Sequence, residues 1–141
     1  MMTKKVPYMV KFAISQLRHV LDEMVLFAPL QVHRVTRNKQ YVRQIIAQRK
    51  ATPFLTCSLI HSFNVNIEKV AKSSEKVAYP YLLILGEKDS IVDNAGARAW
   101  HSKTVSKQKD IKLMAGSFHE LSKEPNNGTM FESVLKFMVS R

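Results

Sequence analysis

Tyr79-Pro80-Tyr81-Leu82-Leu83-Ile84-Leu85-Gly86-Glu87-Lys88-Asp89 opens with seven uncharged residues, stops at a glycine and ends in a charged turn. A run without the apolar–polar alternation of a half-solvated strand reads as a strand buried on both faces of a parallel sheet. Downstream, Asp93 or Asn94 can cap a helix over residues 95–105. Residues 111–114, Ile-Lys-Leu-Met, form a second short strand that Ala115-Gly116 stops. Thr129-Met130-Phe131-Glu132 has the form of a capping box and predicts a last helix with Phe131, Val134, Leu135 and Met138 on one face. Strand, helix, strand, helix in this order is the signature of βαβ units and of the α/β class.

In such sheets the chemistry sits just beyond the carboxyl ends of the strands. Two titratable residues obey that rule. Asp89 lies four positions after Leu85, and His119 lies five after Met114, in Gly116-Ser117-Phe118-His119-Glu120. If the two strands are neighbours, both loops stand on one rim. A carboxylate that accepts from imidazole Nδ1–H fixes the tautomer and stabilises the imidazolium. A lone loop aspartate is more often a turn residue, and a lone loop histidine is more often merely solvated. Whether the two side chains meet separates these readings.

Upstream the pattern is helical. Pro7 can open a helix in which Val10, Ile14, Leu17, Leu21 and Met24 recur on one face, and Ala28-Pro29 ends it. Residues 31–48 are basic and weakly periodic, with Arg34, Arg37, Lys39 and Arg43. Thr52-Pro53 predicts a second helix start, followed by Leu55, Leu59, Phe63 and Val65. The composition shifts near residue 75, which divides a helical region, 1–77, from a βαβα region, 78–141.

A hydrophobic share of 45% and a charged share of 23% describe a folded domain rather than a disordered chain. No uncharged apolar stretch is long enough to span a bilayer, and the N-terminus lacks the pattern of a signal peptide. Cys57 is the one cysteine, so no intrachain disulfide forms. It reads as a buried core residue, and a reducing, cytoplasmic setting fits. His19, His33, His61 and His101 show no ligand spacing, so neither a metal nor a cofactor is expected. Trp100 is expected to pack its helix onto the sheet. The net charge of +11 is open to three explanations: an acidic remainder of a larger domain, a basic lipid-facing surface, or a nucleic-acid partner. No helix-turn-helix, RNP-like or zinc-finger pattern is present, so nucleic acid is not expected.

The stretch 79–93, ending Gly86-Glu87-Lys88-Asp89-Ser90-Ile91-Val92-Asp93, resembles the triad-acid strand and loop of the monoacylglycerol lipases. The stretch Lys112-Leu113-Met114-Ala115-Gly116-Ser117-Phe118-His119-Glu120-Leu121, followed by Lys123-Glu124-Pro125, resembles their histidine loop. Val35-Thr36-Arg37-Asn38-Lys39 resembles a short motif of their cap region. The resemblance implies the C-terminal portion of an α/β-hydrolase fold: a helical cap over residues 1–77, then the last strands and helices of the parallel sheet. It implies Asp89 as triad acid and His119 as general base. The implied reaction is hydrolysis of a monoacylglycerol ester to fatty acid and glycerol through an acyl-serine. The implied partners are a lipid ester and, through the cap, a membrane surface. Met24, Val25, Leu26, Phe27 and Leu30 read first as cap core. If they are exposed beside Arg34, Arg37 and Lys39, they suit a lipid interface.

One part of the family's pattern is missing. Its nucleophile stands on a G-x-S-x-G elbow that precedes the acid and the histidine. The four glycines, Gly86, Gly96, Gly116 and Gly128, lie in no such motif, and no His-Gly segment is present for an oxyanion hole. Ser58 and Ser117 sit on no elbow and are not nominated. The expectation is a chain beginning after the family's N-terminal half and carrying Asp89 and His119 without a nucleophile. A second reading is a non-catalytic hydrolase-like protein that binds lipid or a partner. In either case strand 79–85 lacks a neighbour, and an open apolar edge predicts poor solubility.

Overall fold

The computed structural model describes Met9, Phe12, Ala13, Gln16 and residues 24–29, 31–48 and 53–140. In chain order the elements are β1 (Val25–Phe27), a 3-10 turn at Val32–Arg34, α1 (Lys39–Ala47), β2 (Phe54–Thr56) and α2 (Cys57–Lys72). Then follow a 3-10 turn at Ser74–Lys76, β3 (Tyr81–Gly86), α3 (Asn94–Lys103), β4 (Lys109–Met114), a 3-10 turn at Leu121–Lys123 and α4 (Asn127–Val139).

The apolar run forms β3, starting at Tyr81 rather than Tyr79. It pairs in parallel with β4 in a register that sets Tyr81 against Lys109 and Gly86 against Met114. Parallel strands need a crossover, and α3 supplies it. Asp93 caps α3 as expected, its carboxylate accepting from Ala95 N–H at 3.0 Å. The other end is tied down by Lys109, whose ammonium donates to His101 O at 2.8 Å and to Thr104 O. Tyr81 joins this cluster, its hydroxyl 2.6 Å from Thr104 Oγ1 and 3.0 Å from His101 Nδ1. Trp100 lies against the Tyr81 ring of β3, centroids 5.4 Å apart, so it does pack its helix onto the sheet.

The two strands differ in character. β3 carries no charge, whereas β4 carries Lys109, Asp110 and Lys112. Charged residues suit an outer strand, because they discourage further pairing. Among the described residues no strand pairs with the second edge of β3.

The helical region departs from expectation. Met9, Phe12, Ala13 and Gln16 are helical, but Val10, Ile14, Leu17 and Leu21 lie outside the described residues. Val25–Phe27, expected as the last turn of that helix, is instead β1, antiparallel to β2 with Val25 opposite Thr56 and Phe27 opposite Phe54. The Phe27 and Phe54 rings meet edge to face at 5.8 Å. The second helix therefore starts at Cys57, not at Thr52-Pro53. Thr56 is its N-cap, accepting from Leu59 N–H at 3.2 Å, and Leu55 belongs to β2. Residues 39–47 fold as α1, capped by Asn38 through Tyr41 N–H at 3.1 Å.

The capping box at Thr129 is also corrected. α4 begins at Asn127, and Thr129 lies inside its first turn, its carbonyl accepting from Ser133 Oγ. Cys57 is buried as expected. The buried apolar residues among those described are Val35, Cys57, Val77, Leu85 and Met114. Among the described residues no helix is long and apolar enough to cross a membrane.

Candidate active site

The parallel register fixes where the two loops emerge, since Gly86 and Met114 end their strands side by side. The loops are then knitted together. Glu87 N–H donates to Met114 O at 3.0 Å, Lys88 N–H to Ser117 O at 2.9 Å, and Gly116 N–H to Glu87 Oε2 at 2.7 Å. Gly86 makes this approach possible. A Cβ there would stand 2.2 Å from Phe118 O, a backbone atom that cannot swing aside. Gly116 turns the second loop with φ at +65°, a left-handed conformation that costs glycine nothing.

The loops carry Asp89 and His119 into contact, with Asp89 Oδ2 2.9 Å from His119 Nδ1. The acid is held on its other oxygen as well. Oδ1 accepts from Ile91 N–H at 2.7 Å and from Val92 N–H at 3.0 Å. Burial pushes the Asp89 carboxyl up, but the bonds from Val92, His119 and Ile91 outweigh it and hold the group below its usual range. The acid is thus a buried carboxylate with three donors, at 8% side-chain exposure, while the imidazole is 38% exposed. A carboxylate that accepts from Nδ1–H leaves Nε2 as the ring's acceptor nitrogen. That arrangement can take a proton from a hydroxyl brought to the rim and hand it on.

A second buried carboxylate lies behind the histidine loop. Glu124, at 2% exposure, accepts from Thr36 Oγ1 at 2.8 Å, Arg37 N–H at 2.8 Å and Arg37 Nε at 2.6 Å. Burial raises this carboxyl and the Arg37 and Thr36 bonds lower it, with a net depression. Nothing in the sequence links the motifs at 35–39 and 123–125. The structure joins them. Arg34, which the sequence places in a basic segment suited to a lipid interface, instead turns its guanidinium to Ser90, donating to Oγ at 2.8 Å and to the carbonyl. The one available signal was the presence of two short resembling motifs with no assigned contact between them. Ser117, 1% exposed, donates to Asn126 Oδ1 at 3.3 Å. Among the described residues, no group of three or more His, Cys, Asp or Glu could hold a metal ion.

An acid and a histidine, in that chain order, paired beyond neighbouring parallel strands match the arrangement found in α/β-hydrolases. The Hydrolase_4 family model, described as serine aminopeptidase, S33, matches residues 1–126, and the chain belongs to that family. No curated protein matches it in sequence. In structure it is similar to a monoacylglycerol lipase from Paleococcus ferrophilus. The TM-score is 0.87 and the identity 23%, over 99% of this chain and 55% of that one. It is also similar to a soluble variant of monoglyceride lipase from Saccharomyces cerevisiae crystallised with a substrate analog. There the TM-score is 0.80 and the identity 19%, over 94% of this chain and 49% of that one. The chain therefore spans about half the length of these relatives.

Proposed function

We propose that this chain supplies the acid and the base of a serine hydrolase acting on carboxylic esters of lipids, converting monoacylglycerol to fatty acid and glycerol. The nucleophile would come from a segment not contained in these 141 residues. The observation that carries the proposal is the 2.9 Å contact between Asp89 Oδ2 and His119 Nδ1 on the rim of the parallel pair. In this reading residues 1–77 form the cap and 78–141 the end of the hydrolase core. The lipid ester is suggested by the two lipases of similar fold. Val25, Phe27 and Phe54, all at least half exposed on the antiparallel β1–β2 pair, suit the cap's contact with a membrane surface. Arg34 and Arg37, expected to face lipid beside them, are engaged by Ser90 and Glu124, which leaves Lys39 for that role.

The chemistry follows from the geometry. His119 Nε2 takes the proton of a serine hydroxyl as its oxygen bonds to the ester carbon. Asp89 steadies the resulting imidazolium through Nδ1–H. The imidazolium then gives its proton to the departing glycerol oxygen, leaving an acyl-serine. Water repeats the sequence with the same base and releases the fatty acid.

The test uses two samples. The purified 141-residue chain should not label with a fluorophosphonate probe. The protein purified from its source cells should hydrolyse monoacylglycerol, and His119→Ala should lower kcat by at least about 10³-fold, with Asp89→Asn close behind. Labelling of the isolated chain, or hydrolysis indifferent to His119→Ala, would sink the proposal. Binding of lipid vesicles without turnover in the source protein would favour the non-catalytic reading, which the missing G-x-S-x-G motif motivates.

A further inference from the structure

We infer that residues 34–37 form a brace that sets the spacing of the acid and histidine loops, with Arg34 and Arg37 as its positioning residues. The inference rests on Asp89 and His119 being the reactive pair, as proposed above. The His119 side chain is more than a third exposed, so packing covers only part of it. Its placement depends on polar contacts. Arg34 reaches the acid side, where Nε holds Ser90 Oγ at 2.8 Å and a second nitrogen holds the Ser90 carbonyl, one residue from Asp89.

Over the next three residues the same segment grips the histidine side at several points. The Val35 carbonyl accepts from Glu120 N–H at 2.8 Å, the residue next to His119. Thr36 Oγ1 donates toward Glu124 Oε1 and Lys123 O. Arg37 binds Glu124 and donates through NH2 to Asn126 Oδ1 at 2.8 Å, and Asn126 in turn accepts from Ser117 Oγ, two residues before the histidine. The loop bearing the acid and the loop bearing the base are thus both anchored, within one or two residues of the reactive side chain, to four consecutive residues. Guanidinium suits the task, because its rigid fork fixes two acceptors at once where an ammonium fixes a point.

The brace therefore couples the cap segment to the alignment of the pair. Its test is spectroscopic and needs no turnover, so a negative ester-hydrolysis result leaves it standing or falling independently. In the protein purified from its source cells, the His119 Nδ1 proton and the amides of Ile91, Val92 and Glu120 are followed by hydrogen exchange. Arg34→Met is expected to speed exchange of the Nδ1, Ile91 and Val92 protons by roughly tenfold or more, and Arg37→Met to do the same for Nδ1 and Glu120. Arg34→Lys and Arg37→Lys keep the charge but lose the fork, and should restore the protection only in part. They carry the same readout if a methionine variant fails to fold. Tyr81→Phe, which removes a hydroxyl from the far end of β3, is the control. It should lower stability and leave these four protons slow. Wild-type exchange in the Arg34 and Arg37 variants would overturn the brace, as would equal acceleration in Tyr81→Phe.

Discussion

Glu124 is a charge with almost no water around it, so its value lies in its partners. Removing the Arg37 side chain takes away its one charged donor among the described residues and leaves Thr36 and a backbone N–H. Arg37→Ala should cost about 2–3 kcal/mol, less than a wholly buried pair because the guanidinium is partly solvated. Glu124→Gln keeps the shape and should cost about 1–2 kcal/mol. Urea denaturation checks both. The pH dependence has a definite sign. Both Asp89 and Glu124 bind their protons more weakly folded than unfolded. Their contribution is present above the usual carboxylate range and is lost as the pH falls through and below it. Urea midpoints measured down to acid pH should decline, and the Asp89→Asn, Glu124→Gln double variant should flatten that decline. The pair itself was legible in the sequence because each residue is placed by a local rule, a fixed step past a strand end. The brace was not, because Arg34 and Ser90 stand 56 residues apart and Arg37 and Glu124 stand 87 apart. Nothing local marks such partners.

At the scale of elements, the β3–β4 pair depends on one small residue. Gly86→Ala would drive a methyl group into the Phe118 carbonyl. It should cost about 2–4 kcal/mol and displace the histidine loop, visible as loss of the His119 Nδ1 signal along with the fall in melting temperature. Thr56→Ala should cost about 1 kcal/mol and fray the start of α2, read by thermal melts. Elements with a strong local signature were legible: β3 from its unbroken apolar run, α3 from its Asp93 cap. The antiparallel β1–β2 pair was not. Its strands are three residues each, too short for a period, and Met24 continued a helical spacing that ran up to it. Thr129 misled for another reason. It had a capping-box partner at the right distance, but the preceding turn closes at Lys123 and α4 has already begun at Asn127, whose side chain donates to Ser122 O at 2.8 Å.

Across the whole molecule, apolar faces outnumber what the chain itself covers. Leu59, Phe63, Ile67 and Val70 line one side of α2, and Phe131, Leu135, Met138 and Val139 one side of α4, each more than a third exposed. Patches of this kind mark surfaces made to be covered. The 141-residue chain on its own should therefore bind a hydrophobic dye and sediment as more than a monomer. A soluble monomer with a cooperative melt would contradict this. The uncharged edge of β3 adds a directional rule. A strand continuing the βαβ pattern would enter alongside it running the same way. A second copy meeting it across a two-fold axis would run the opposite way, giving a four-stranded sheet with the charged β4 strands outermost. Strand polarity at that one seam therefore distinguishes a completed hydrolase sheet from a self-paired dimer.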